Sequence, residues 1–185
     1  MKWIIIGAIV VIALYLIMIY NRLVSLRQRA SQAWSDISVQ LKLRHDLVPN
    51  LVETVKGYAS HERGTLEAVT QARNAAVAAS GPAAQAQAEN MLSGALRQLF
   101  ALSEAYPDLK ANQNFLQLQS ELADIENKIA ASRRFFNNAV SEYNASIQQF
   151  PAVLVAGPLG FQSREFFDLD EGERAAVNTA PQVKF

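Results

Sequence analysis

An uninterrupted apolar run near the N-terminus constrains this chain more than any other feature of its sequence. No residue from Trp3 to Tyr20 carries a charge, and Lys2 and Arg22 flank the run. An α-helix of this length extends roughly 27 Å, which is close to the hydrocarbon thickness of a bilayer. The run therefore predicts a transmembrane helix that begins at Trp3, is centred near Ile12 and ends at Tyr20.

Two other interpretations of the run are less consistent with its sequence. A cleaved signal peptide has a shorter apolar core followed by small residues at the cleavage site, whereas Asn21, Arg22 and Leu23 follow this run. A buried helix of a soluble protein does not need so many consecutive apolar residues. We therefore expect an uncleaved N-terminal anchor.

The charges that flank the anchor indicate its orientation. Arg22, Arg27 and Arg29 follow the span, whereas only Lys2 and the terminal amine precede it. Because loops rich in Lys and Arg tend to stay on the cytoplasmic side, this asymmetry favours a cytoplasmic C-terminal body. The same cations suit the anionic headgroups of an inner leaflet.

Composition excludes several classes of function. The chain has 185 residues, enough for one domain, and no cysteine, which excludes disulfides, thiolate catalysis and thiolate metal sites. Lys and Arg together number 17, as do Asp and Glu. This balance lacks the basic surplus of nucleic-acid-binding proteins, so we expect no nucleic-acid partner.

After the anchor, apolar residues recur at steps of three and four, which predicts amphipathic helices. Pro49 interrupts the first stripe and removes the helical hydrogen bond to the His45 carbonyl, so we expect a kink there. Ser60 is the expected cap of a second helix. The stretch from Ser80 to Pro82 separates the second helix from a third, and Pro107 ends the third.

The predicted fold class is all-α: an N-terminal transmembrane helix continuous with a long, antiparallel four-helix bundle and an irregular C-terminal tail. The predicted segments are the anchor (1–21), the bundle (22–150) and the tail (151–185). The first and fourth helices are the longest, so they would form a stalk with the short pair packed on part of it. This topology returns Phe150 and the tail to the bilayer.

Two long stretches of the chain resemble the LemA family of bacterial membrane proteins. They are residues 20–62, which contain HDLVPNLVETVKGYA, and residues 95–151, which contain YPDLKANQNFLQLQ. The resemblance extends over essentially the whole chain. It implies a four-helix body on a single-pass anchor in the bacterial inner membrane. It implies no catalytic residue, because the family has no established biochemical function.

No motif in the sequence predicts catalysis, a cofactor or a metal. A di-iron bundle needs Glu-x-x-His on two helices, but Lys42 and Tyr58 stand three residues before His45 and His61, the only histidines. The glycine-rich phosphate-binding motifs and the nucleophile elbow are absent. We therefore expect a protein without enzyme activity, with no catalytic, cofactor-binding or metal-binding residues.

Two segments are candidate interaction sites. The first is a polar stripe beside the apolar seam of the fourth helix, formed by Glu126, Arg133, Asn137 and Asn144. It either fixes the register of the bundle or contacts a second protomer or partner. Arg73, on the second helix, suggests no role beyond an ordinary structural one.

The second candidate is the tail, whose residues from Phe150 to Gln162 are uncharged. Its apolar residues either pack back onto the bundle or form an interfacial or partner-binding loop. The residues singled out are Phe150, Leu154, Phe161, Phe166 and Phe167. An acidic run follows and could pair with basic residues near the anchor; it comprises Asp168, Asp170, Glu171 and Glu173.

Two functions remain compatible with these features. The first is a membrane-anchored helical scaffold that self-associates and supports envelope organisation or stress tolerance. Because Gly7 is followed four residues later by the bulky Val11, association would occur through the body, as a homo-oligomer, and not through close helix crossing in the bilayer. The alternative is an adaptor or regulatory subunit of another membrane protein, such as a protease or transporter.

Overall fold

The computed structural model describes residues 1–167, and within this range the chain is all-α, with no strand. The acidic run that begins at Asp168 lies outside the described residues. The helices are α1 (Lys2–Lys56), α2 (Arg63–Ala78), α3 (Pro82–Ser103), α4 (Pro107–Lys110), α5 (Gln113–Gln148) and α6 (Val153–Ala156).

Helix α1 is continuous through the predicted anchor and into the body, as the sequence predicts. Its 55 residues extend roughly 82 Å. None of its most apolar window is buried, and this segment is long and apolar enough to cross a membrane. From Leu23 onward, side chains at steps of three and four become buried, because there the helix packs against the rest of the protein. The helix continues through Pro49.

The long helices α1 and α5 run antiparallel and form the stalk. Near the anchor, Leu23 packs with Tyr143 and Ile147, and Arg29 Nη1 lies 3.0 Å from Glu142 Oε2. The α2–α3 hairpin packs on the distal half of this pair, where Leu51, Leu66, Leu92 and Phe115 share one apolar core. A second core, between α1 and α5, lies between the hairpin and the anchor.

The beginning of α2 differs from the prediction. The helix starts at Arg63, and its N-cap residue, Glu62, makes no side-chain capping bond. Ser60 is therefore not the cap, because the chain takes a further turn in which the Glu62 N–H donates to the Ala59 carbonyl. Instead of capping, the Glu62 carboxylate accepts a hydrogen bond from the Tyr106 hydroxyl at 3.1 Å.

The chain between α3 and α5 contains an extra helical turn that the sequence analysis did not anticipate. Helix α3 ends at Ser103, and Pro107 begins α4, since a proline suits the first position of a helix. Asn112 then caps α5, because its side-chain oxygen accepts the Phe115 N–H at 3.0 Å.

The described part of the tail contains a short helix, α6, that was not predicted, followed by an irregular section. Helix α5 ends at Gln148, just before the cis Phe150–Pro151 bond, and α6 follows. Gly160, with a φ of 77°, reverses the chain, and the Phe161 N–H donates to the Ala156 carbonyl at 2.9 Å. Residues 161–167 then run along the bundle without regular secondary structure.

Candidate functional site

The four residues of the predicted polar stripe lie in different settings. Glu126 joins a charged network inside the bundle, and Arg133 lines a cavity beside that network. Asn137 and Asn144 hold the tail. The structure thus brings the two candidate sites together, because half of the stripe contacts the tail.

Arg44 is the centre of the charged network. Its side chain is only 2% exposed, and its Nη1 lies 3.0 Å from Glu89 Oε2. Its Nη2 donates to Ser93 Oγ at 2.7 Å and lies 2.5 Å from Glu126 Oε1. This one guanidinium therefore connects α1, α3 and α5. A buried charge needs such partners, because an unpaired ion in the interior has a high desolvation cost.

The second oxygen of Glu89 is also occupied. His45 Nε2 lies 2.6 Å from Glu89 Oε1, and Gln85 Nε2 donates to the same oxygen at 2.9 Å. Gln85 Nε2 also donates to the Ala76 carbonyl at 2.9 Å, which extends the network to the end of α2. His45 therefore holds helices together.

A further contact depends on Pro49. Because Pro49 has no N–H, the carbonyl of His45 lacks its usual helical partner. Arg73 Nε donates to that carbonyl at 3.2 Å, so an arginine of α2 compensates for the proline in α1. This role of Arg73 was not predicted from the sequence. The available signal was Pro49 itself, since it identifies a carbonyl that needs a donor from elsewhere.

A cavity of about 280 Å³ lies beside the network, and Arg97, Asn127 and Phe167 contribute to its lining. Its polar groups include both carboxylates that pair with Arg44. Among residues 1–167, no three His, Asp or Glu side chains form a group that could hold a metal ion. The contacts of Arg44 with Glu89 and Glu126 fix the relative positions of α1, α3 and α5.

The tail is bound to α5 through its backbone. Asn137 Nδ2 donates to the Phe167 carbonyl and its Oδ1 accepts the Phe167 N–H, both at 3.0 Å. Asn144 makes the same pair of bonds with Arg164, at 2.9 and 2.8 Å. Each amide side chain thus satisfies one donor and one acceptor of the tail, as a neighbouring strand would do.

The same pair of bonds occurs twice because the spacing of the two asparagines on α5 matches the spacing of their partners in the tail. Residues seven apart on a helix, such as Asn137 and Asn144, lie roughly 10.5 Å apart along its axis. Residues three apart in an extended chain, such as Arg164 and Phe167, are separated by about 10 Å. The two repeats match when the tail runs antiparallel to α5. We refer to this arrangement of Asn137, Asn144 and residues 161–167 as the asparagine latch.

Aromatic side chains fix both ends of the latch. Phe167 is buried, and its ring centroid lies 5.6 Å from that of Trp34. At the other end Phe161 is also buried, with Tyr20 at 5.6 Å and the Arg27 guanidinium 5.0 Å above its ring. Phe161 and Phe167 therefore pack back onto the protein, which was one of the two predicted roles of the tail.

The other tail residues singled out in the sequence are exposed. Phe150 is 81% exposed, Leu154 66% and Phe166 41%. Phe150 precedes α6, and Leu154 lies within α6, beside Leu16 and Ile17 of the apolar run of α1. The tail is therefore divided into a section that packs on the stalk and a section that presents apolar side chains outward.

Replacing Arg44 tests the charged network. We expect Arg44→Met to lower the free energy of unfolding by about 3–5 kcal/mol, because Glu89 would remain buried without its cation. Urea denaturation of the full chain in detergent micelles, followed by helical circular dichroism, measures this loss. The matched control is Lys42→Ala, which breaks an exposed ion pair with Asp46. Wild-type stability of Arg44→Met would contradict a structural role of the network.

Replacing both latch asparagines tests the tail contact. We expect Asn137→Ala with Asn144→Ala to release residues 161–167, because each substitution removes two backbone hydrogen bonds. Hydrogen exchange of the Arg164 and Phe167 amides should accelerate by at least about tenfold, given about 1 kcal/mol for each bond. Asn138→Ala, on the exposed neighbouring position, should leave both rates unchanged. Unchanged protection in the double variant would refute the latch.

The chain is similar in sequence to a family of known proteins. The LemA family model matches residues 33–185. Protein LemA of Metamycoplasma hominis is 30% identical over 164 residues, covering 86% of this chain and 74% of that protein. Magnetosome protein MamQ of Magnetospirillum gryphiswaldense is 26% identical over 178 residues, covering 82% of this chain. This chain spans 65% of the length of MamQ.

The family match includes most of the bundle and the tail, and it agrees with the resemblance noted in residues 20–62 and 95–151. These two relatives are named for a protein family and for a cell structure, and neither is named for a catalysed reaction. Together with an all-helical body on a helix apolar enough to cross a membrane, these matches show that the chain belongs to the LemA family.

Proposed function

We propose that this protein is a non-enzymatic, membrane-anchored scaffold that self-associates through its helical body and supports the organisation or stress tolerance of the cell envelope. The observation that carries the proposal is the continuity of α1 from Lys2 to Lys56. A helix without a linker holds the body at a fixed height and angle to the bilayer, because bending it would break backbone hydrogen bonds. Such rigidity suits a protein that positions other surfaces.

The polar stripe does not provide the contact surface for self-association in this proposal. Asn137 and Asn144 are engaged by the tail, and Glu126 is engaged by Arg44. A more suitable surface lies on the outer side of α1, where Val39 and Leu43 are 56% and 46% exposed. Residues four apart on a helix share a face, so these two form one apolar patch.

The oligomeric state in lipid nanodiscs tests the scaffold proposal. We expect the full chain to form homo-oligomers by mass photometry, and Val39→Glu with Leu43→Glu to shift the population toward monomers, because burying the new charges is costly. Val77→Glu, at an equally exposed apolar position on α2, is the control. A wild-type chain that stays monomeric but co-purifies with one stoichiometric membrane protein would favour the adaptor instead.

The location of the body is part of the same proposal: a single span in the inner membrane with the bundle in the cytoplasm. Three arginines follow the span within residues 22–29, which supports this orientation. The absence of native cysteine makes the orientation measurable, since Ser80 is exposed between α2 and α3.

Labelling of Ser80→Cys with a membrane-impermeant maleimide measures the orientation. We expect no labelling in intact cells with a permeabilised outer membrane and full labelling after the inner membrane is opened. The opened cells also confirm that the thiol is reactive. Labelling in intact cells would place the body outside the cytoplasm and leave the anchoring itself unaffected.

A further inference from the structure

An apolar crevice lies where the tail meets the anchor. It has a volume of about 360 Å³ and lies between Leu16, Ile17 and Tyr20 of α1 and the tail residues Leu154, Val155 and Leu159. This volume lies within the range of about 300–1,000 Å³ that is usual for ligand sites. Its walls are almost entirely apolar, and Leu154 and Leu159 are 66% and 46% exposed.

The depth of the crevice follows from its α1 side. Leu16 and Ile17 belong to the apolar run that ends at Tyr20, and Leu16 lies roughly 6 Å below Tyr20 along the helix. When α1 spans the bilayer, these residues contact hydrocarbon. Leu154, Val155 and Leu159 line the same crevice, so they lie at acyl-chain depth in the leaflet on the side of the body.

The backbone of the tail is suited to this depth. In hydrocarbon, every backbone N–H needs an internal partner because water is absent. The N–H groups of residues 153–156 and 159–161 donate to carbonyls within residues 149–157. Pro151 and Pro158 have no N–H. The segment 150–161 also carries no charge. Seven N–H groups of the segment are therefore paired internally and the segment is uncharged, and both properties favour insertion into one leaflet without spanning the membrane.

Cations lie on the polar side of the crevice. The Arg27 guanidinium lies over the Phe161 ring, which contacts Tyr20, and Arg164 Nη1 donates to the Arg27 carbonyl at 3.2 Å. Arg22 is exposed immediately after the span. Arg22 follows Tyr20 by about 3 Å along the helix, within a polar region about 5–8 Å thick, whereas the backbone of Arg27 lies about 10 Å beyond Tyr20 and only its guanidinium contacts the ring that packs on Tyr20. Arginine pairs with phosphate through charge-assisted hydrogen bonds.

We propose that the crevice between α1 and α6 is a binding site for one acyl chain of an anionic phospholipid, whose headgroup phosphate contacts the arginines at the end of the span. The segment 150–161 then acts as a second membrane element, inserted into a single leaflet. The proposal rests on the membrane anchoring of α1 and is independent of self-association.

The first experiment measures the depth of the tail. A spin label at Leu154→Cys, in the full chain in phosphatidylglycerol-containing nanodiscs, is compared with labels at Val11→Cys in the span and Ser80→Cys on the body, where Ser80 is exposed. We expect the Leu154 label to collide with oxygen more than with a water-soluble nickel chelate, as the Val11 label does. A Leu154 label as water-accessible as that at Ser80 would overturn the proposal.

The second experiment measures lipid retention by native mass spectrometry of the full chain released from mild detergent. We expect wild type to retain one phosphatidylglycerol in preference to phosphatidylethanolamine. Ile17→Trp, which fills the crevice, should reduce retention by at least about tenfold, since several methylene groups lose their burial. Val11→Trp, elsewhere on the span, should retain lipid as wild type does.

Three results would count against the lipid site. They are equal retention in the two tryptophan variants, absence of phosphatidylglycerol from the wild-type chain, and efficient disulfide formation between copies carrying Leu154→Cys, which would place a second copy on the crevice.

Replacement of Arg22 and Arg27 by glutamine separates recognition of the headgroup from recognition of the acyl chain. We expect the preference for phosphatidylglycerol to be lost, and an unchanged preference would refute the proposed phosphate contact. A monomeric wild type that still retains lipid would remove the scaffold proposal alone.

Discussion

The structure depends on a single helix that belongs to two environments. No residue of the apolar run of α1 is buried, and from Leu23 to Val55 the same helix contributes to each of the three core clusters among the described residues. Because a helix rises by a fixed amount for each residue, anything packed against a given residue of α1 has a fixed distance along the helix from the apolar run. The positions of Arg44, the latch and α6 are thus determined by register, and a one-residue shift would rotate each of them away from its partner.

The charged network at Arg44 makes that register specific. A purely apolar interface between α1, α3 and α5 would tolerate sliding, since one leucine packs much like another. A guanidinium that must meet Glu89, Glu126 and Ser93 together has one suitable position. Buried ion pairs contribute little net stability compared with apolar packing, and we hypothesise that this one is retained for its specificity. The loss expected on removing Arg44 reports the cost of an orphaned Glu89 and does not measure the strength of the pair.

Sequence periodicity was sufficient for the architecture because each amphipathic helix carries its own pattern. The anchor, the long helices and the return of Phe150 to the anchor follow from apolar spacing and length. The prediction that Ser60 caps α2 was wrong, because the turn formed by the Glu62 N–H and the Ala59 carbonyl delays the start of the helix to Arg63. Helix α4 was missed because Pro107 was interpreted only as a helix end.

The contacts within the candidate site were harder to predict, because they join residues that are distant in sequence. The stripe was visible as a row of polar residues, yet Glu126 pairs with Arg44 and Asn144 pairs with the backbone of Arg164. A hydrogen bond to a backbone group does not depend on the side chain of that residue, so the residue type does not reveal the contact. Arg73 was the exception that could have been found, since Pro49 creates an unpaired carbonyl whose position is known from sequence alone.

The position of α6 depends on how residues 161–167 are held against α5. The asparagine latch binds backbone groups, so it does not require particular side chains at residues 162–166. The packed rings of Phe161 and Phe167 fix the two ends of this section. Since Phe161 packs on Tyr20, the latch also fixes where Gly160 reverses the chain, and with it the position of α6 along α1. A tail held only by apolar contacts would be free to slide along the two long helices. The asparagine latch prevents this movement, because moving residues 161–167 along α5 by one position would take the backbone groups of Arg164 and Phe167 out of hydrogen-bond reach of Asn144 and Asn137.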